Sequence, residues 1–486
     1  MVRKATLDIA TLLTLGPEKL ARLVLDETVR EAGFRKIVKA ALAATDGPEA
    51  VAKLIDRRLA ALEKAKSFID WQKARAFRDD LAATLETIAG ELATASPAMA
   101  VDRLLRFLAT HDSVFERVDD SSGQVQTVYR DAVDAIGALA PKLSPREADS
   151  LPETIMARLG QSTYGYLVEV AQGVTGHLPP EALTRWDAVL DAGLREHAAN
   201  VPKTRAGFDV SPLRQWSVVR QAIAEARGDL DGFIVLEASK HPNLQDTLEI
   251  AERLLAAGRA EEALDWVRRR RSDGLRMMTM DDLADGAAPR DPFATQRTLL
   301  EALILDQLGR RQEAQMLRWK SFEESLDPKI LRAHVDALAD FEEFDVLDRA
   351  FAHVLASPQA YRALVFFLEW PRLDHAAALV AARAKDWDGR HYDLLAPAAD
   401  ALEAAHPLAA SILLRSLAEA ILDRANSKAY PHAARYLGRL DALASRVGPG
   451  DWTHGVIAHE SWRAGIAQKH ARKSGLWALL PKFHQA

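Results

Sequence analysis

A chain of 486 residues with 48% hydrophobic and 27% charged residues has a soluble globular composition, and length for several ordinary domains or one long repeat array. A net charge of −6 and a pI near 6.2 exclude wholesale coating of nucleic acid. The absence of cysteine excludes disulfides, thiolate zinc sites and cysteine nucleophiles, and fits a reducing cytoplasm.

At the start, "MVRKATLDIATLLTLGPEKL" sets Arg3 and Lys4 before an apolar stretch. Asp8 interrupts that stretch, and Glu18 and Lys19 close it before any small-residue cleavage site, so no leader is expected. No window reaches the ~18 consecutive apolar residues of a membrane span. A cytoplasmic protein without a membrane partner is expected. In "EAVAKLIDRRLAALEKA", Val51, Leu54, Ile55, Leu59 and Leu62 recur at three- and four-residue steps and share one helical face. Abundant alanine favours helix throughout, and only "FIVLEAS" (233–239) is ambiguous, its helical neighbours favouring a buried helix. Short breaks such as "DGP", "LPP" and "GPG" have the spacing of helical hairpins. The predicted fold is all-α, a superhelical array of antiparallel hairpins.

Most chemical motifs fail on inspection. "RFLATH" and "RAGIAQKH" match the R-x(4–6)-H pattern of all-α nucleases, but a chain this rich in arginine matches so loose a pattern by accident. "ERVDDSSGQV" gathers Asp119, Asp120, Ser121 and Ser122 ahead of a helix starting near Gln124. It lacks the calcium-loop pattern, and helix capping explains it more simply. "GQSTYG" (160–165) is one residue too long for a nucleophile elbow, which leaves Ser162 as an expected helix cap. His454 and His459 are five residues apart, about 140° around a helix, and cannot share a metal. No catalytic residue, cofactor or metal site is predicted.

Pro and Gly interrupt the helical period at "NVPKTRAGFDVSP". The chain is divided there into an N-terminal helical domain, 1–200, and a C-terminal superhelix, 201–486. Within the latter, residues 250–269 align on 301–320 at a constant offset, pairing Leu254 with Leu305, Gly258 with Gly309, Arg259 with Arg310, and Ala263 with Ala314. A glycine takes the left-handed turn that ends one helix, and the small residue lets the next helix approach. One corner is thus written twice, as a stacked array requires. The polar insertion 272–294, which contains "MDDLADG", is expected to be a solvated loop projecting from one edge.

Two surfaces are candidates for partners. Along "SKAYPHAARYLGRL", His432, Arg435, Tyr436 and Arg439 share a helical face, flanked by Lys428 and Tyr430. Such polar-aromatic faces bind peptide carboxylates and other anions. Arg268, Arg269, Arg270 and Arg271 end a helix and offer an alternative contact for an anionic partner, although a solvated helix end explains them more simply. Trp319, Trp370 and Trp387 are expected to pack between repeats.

The "G-[RK]-x-x-E-A" corners resemble tetratricopeptide repeats, with an insertion lengthening the period. Further along, "AKSFIDWQKARA", "VFERVDDSSGQV", "SKAYPHAARYL" and "KHARKSGLWALL" together resemble an uncharacterised family of bacterial helical-repeat proteins. Similar repeats follow the zinc finger of bacterial SWIM-domain proteins. The resemblance implies fold and no catalytic residue. Without cysteine the finger is absent, and zinc-dependent DNA binding is not implied. The expected function is a scaffold or adaptor for a protein or peptide, with nucleic-acid binding through 268–271 and 428–473 as the alternative.

Overall fold

Several helices start in this chain where a short oxygen-bearing side chain meets the free N–H groups of a first turn. Ser144 and Glu147 form a reciprocal capping box at the head of Pro145–Leu159, and Ser96 with Pro97 opens Pro97–Ala109. The structure, a computed structural model, describes residues 8–162, 164–200, 212–269, 275–338, 342–424, 427–448, 452 and 456–480. Every regular element among the described residues is a helix, in line with the periodicity. "FIVLEAS" lies on Leu230–Ala238, with Phe233 buried and Val235 exposed.

The chain folds as two compact units, Met1–Lys240 and His241–Ala486. Helices Pro180–Asn200 and Pro212–Ala226, on either side of the Pro- and Gly-rich break, pack on each other within the first. Within the largely aliphatic core of that unit sits an aromatic cluster. Phe107 stacks on Tyr129 at 4.7 Å between ring centroids, and Tyr129 stacks on Tyr166 at 5.9 Å. The buried Tyr129 hydroxyl is satisfied by Thr110 Oγ1 at 2.8 Å. Two of the sequence blocks noted above meet here: Ile69 N–H donates to Arg117 O at 2.8 Å, and Asp119 N–H donates to Ile69 O at 3.0 Å.

The second unit is a succession of helix hairpins, and its first two share one corner. Gly258 and Gly309 have φ of 76° and 75°, the left-handed conformation in which a side chain is strained. Arg259 N–H closes back on Leu254 O at 2.9 Å, and Arg310 N–H on Leu305 O at 2.8 Å. Ala263 and Ala314 are both fully buried, which lets each second helix lie close to its first. Trp387 is buried and its indole N–H donates to Val380 O, while Trp319 and Trp370 pack against Phe322 and Phe366. These three tryptophans pack within the second unit.

Candidate partner-binding surface

Helix Tyr430–Ala444 lays its apolar stripe, Ala433, Leu437 and Leu440, into the second core, and that orientation decides the fate of the C-terminal candidates. Tyr436 falls on the buried stripe at 6% exposure and is not available to a ligand. Arg439 is held by Asp400 at 2.7 Å and by Glu403 at 2.8 Å. Tyr430 is half-buried, with the Lys473 ammonium 5.9 Å above its ring. His432, Arg435 and Lys428 remain exposed, and Arg435 Nη2 lies 3.3 Å from His432 Nδ1. The six residues therefore do not form one open face.

The described half of the arginine run, Arg268 and Arg269, is also engaged. Arg268 donates to Glu301 at 2.7 Å and to Glu313 at 2.8 Å, tying one hairpin to the next. The guanidinium of Arg269 lies 3.4 Å from the Trp266 ring centroid. Arg270 and Arg271 lie outside the described residues.

The insertion departs most from expectation. Its described part is not a solvated loop: Met277 and Arg290 pair as an antiparallel bridge, with N–H···O distances of 2.8 and 2.7 Å, enclosing a short helix, Met280–Ala284. Asp282 within that helix is fully buried. One of its carboxylate oxygens accepts from Thr279 N–H at 3.1 Å, Thr279 Oγ1 at 2.7 Å and Arg290 Nε at 2.9 Å. The other accepts from the buried Arg362. Burial pushes the Asp282 carboxyl up, but the hydrogen bonds from Thr279 and Arg362 and the charge of Arg290 outweigh it and hold the group at about 2.

Three residues on, Asp285 accepts from Tyr361 N–H at 3.0 Å and Arg362 N–H at 2.9 Å. These are among the first free N–H groups of helix Ala360–Glu369, whose own N-cap residue, Gln359, makes no side-chain cap bond to them. The insertion supplies that cap. Burial raises the Asp285 carboxyl above its ordinary value despite the two donors. A polar sequence rich in Asp reads as solvated because its partners, Tyr361 and Arg362, lie far along the chain.

With the acidic side turned inward, the apolar side faces out. Leu275, Met277, Met278, Met280, Leu283 and Phe293 are all exposed, from 42% for Met280 to 71% for Leu275. Isolated exposed apolar residues are ordinary, but six within one docked segment make it a candidate surface for a partner. Methionine suits such a surface because its unbranched, polarizable side chain adapts to varied partners. The signal in the sequence is "LRMMTM", three methionines in four positions within an otherwise polar stretch.

The remaining polar constellations make contacts within the first unit. Asp120 caps helix Gln124–Leu139, accepting from Val125 N–H at 3.0 Å and Gln126 N–H at 2.9 Å. Ser162 is not a helix cap. It is buried, with Oγ 3.3 Å from His111 Nε2, while His111 Nδ1 meets Leu108 O at 2.9 Å and Asp112 lies 2.8 Å from Nε2. Tyr164 and Tyr166 close over the His111 ring at 4.7 and 5.5 Å between centroids. Arg106 is bound by Glu63 and Asp56. Among the described residues no group of acidic or histidine side chains is arranged to hold a metal ion, and no helix is long and apolar enough to cross a membrane.

A family model described as "Family of unknown function (DUF6880)" matches residues 2–479. No curated protein and no solved structure matches the chain.

Proposed function

The chain belongs to this family of unknown function, DUF6880, and we propose that it is a protein-interaction scaffold. Its helix hairpins form a tetratricopeptide-like superhelix, and the insertion carries the surface that a partner recognises. The chain works by binding and performs no catalytic step. One observation carries the reading: six exposed apolar side chains between Leu275 and Phe293, on a segment anchored by the buried pair Asp282–Arg362. A rigid apolar ridge loses little entropy on binding, and it fits the apolar face of an amphipathic helix in the partner.

The alternative, an anionic partner such as nucleic acid, has less support. Arg268, Arg439 and Lys469, three of the cations it needs, are already neutralised by Glu301 and Glu313, by Asp400 and Glu403, and by Asp423. A cytoplasmic location accords with the lack of cysteine.

The test is affinity capture from the native cell with the parent chain and with Met277→Glu/Met280→Glu. A protein recovered by the parent and lost by the variant should then bind the purified parent directly, and bind the variant at least about thirtyfold more weakly. Recovery of the same proteins by both chains would count against the ridge.

A further inference from the structure

Helix Pro17–Arg30 buries none of its residues. Leu20, Val24 and Thr28 are half-covered, while Leu23, Leu25 and Val29 are exposed at 50%, 64% and 84%. The preceding short helix adds Ile9 at 78% and Leu13 at 67%. An apolar concentration of this kind at the surface of a folded unit is completed by something else.

The charges select the occupant. Within the helix, Glu18, Asp26 and Glu27 balance Lys19, Arg22 and Arg30, so it has no basic excess of the kind that draws a helix to an anionic membrane surface. Glu18, Arg22, Asp26 and Arg30 recur every four residues and alternate in sign along one exposed stripe. Beside it, Ala21, Leu25 and Val29 form an exposed stripe of small and apolar residues.

We propose that this helix pairs antiparallel with the same helix of a second copy of the chain. A two-fold axis near Leu25 sets Leu25 against its own equivalent and Ala21 against Val29 of the second copy. The same arrangement brings Arg22 beside Asp26, and Glu18 beside Arg30, of the second copy. A parallel alignment would instead set like charges together. Self-complementarity of this kind is what a two-fold interface demands. Arg30 is free to exchange its loose local pairing with Glu27, at 4.0 Å, for the new one.

Sedimentation velocity on the full chain tests this from about 1 to about 100 μM, the range in which a small helical interface dissociates. The parent should pass from monomer to dimer, and Leu25→Glu or Val29→Glu should raise the dissociation constant at least about thirtyfold. Both positions are exposed, so the variants should keep the parent's helical signal and thermal midpoint. Arg22→Asp should weaken the dimer, and Arg22→Asp/Asp26→Arg should restore it. A chain that stays monomeric throughout, a dimer indifferent to Leu25→Glu, or one that the double reversal fails to restore would overturn the proposal. So would a monomer that floats with phosphatidylserine vesicles through Leu25.

Discussion

The carboxylate of Asp285 caps a helix that begins 75 residues further along the chain, accepting from Tyr361 N–H at 3.0 Å and Arg362 N–H at 2.9 Å. Three residues before it, Asp282 neutralises the Arg362 side chain of that same helix. Together they convert an insertion into a fixed part of the second unit.

Removing the two carboxylates should have unequal consequences. Asp285→Ala exposes a helix end and should cost about 1 kcal/mol, as lost caps do. Asp282→Ala leaves the buried Arg362 with the neutral Gln359 Oε1 at 2.7 Å and the more distant carboxylate of Asp281 at 3.6 Å, and should cost about 3–5 kcal/mol. Denaturant unfolding measures both. Hydrogen exchange should show residues 275–293 losing protection in Asp282→Ala before the rest of the second unit does.

Stability should fall on mild acidification because His334 is buried beside Trp319 and close to the charges of Arg318 and Arg349. Burial is the larger cause, and it lowers the His334 pKa below 6.5. The sign follows: above pH 6.5 both folded and unfolded forms are neutral, and no penalty applies. As the pH falls through 6.5, the unfolded chain takes up a proton that the folded site resists, and stability declines. Thermal midpoints measured at about pH 7.5 and about pH 5.5 should differ less in His334→Phe than in the parent. His470, lowered by burial in the same direction, accounts for part of the remaining slope.

Gly389→Ala should destabilise the second unit by about 1–3 kcal/mol, the usual cost of overpacking. A Cβ at that position would lie 1.9 Å from Ser416 O, a backbone atom of helix Pro407–Asp423 that cannot swing aside. An unchanged unfolding midpoint would show that the helix can retreat.

Gly258→Ala and Gly309→Ala should each cost about 1–2 kcal/mol, because both corners hold φ near 75° with open space around the missing side chain. Equal losses in denaturant unfolding identify backbone conformation, and not crowding, as the cause.

Those two corners were legible in the sequence, since glycine, arginine and alanine at fixed offsets report a local turn and a local close approach. Helix content was legible for the same reason: periodicity and capping are properties of neighbouring residues. The candidate surface was not. Asp282 and Asp285 read as solvated acids because their partners lie about 75 to 80 positions downstream in sequence, and the outward turn of Met277 and Met280 follows from that inward anchoring. Tyr436 and Arg439 illustrate the opposite error. Helical spacing groups them with His432 and Arg435, but which part of such a face meets a neighbouring helix is decided by tertiary packing.

Photo-crosslinking from the insertion tests the central claim most directly. With a photoreactive residue at Met278 of the full chain in its native cell, illumination should give a discrete crosslinked protein, absent when Met277→Glu/Met280→Glu is added. A crosslink from position 435, with none from position 278, would contradict the account.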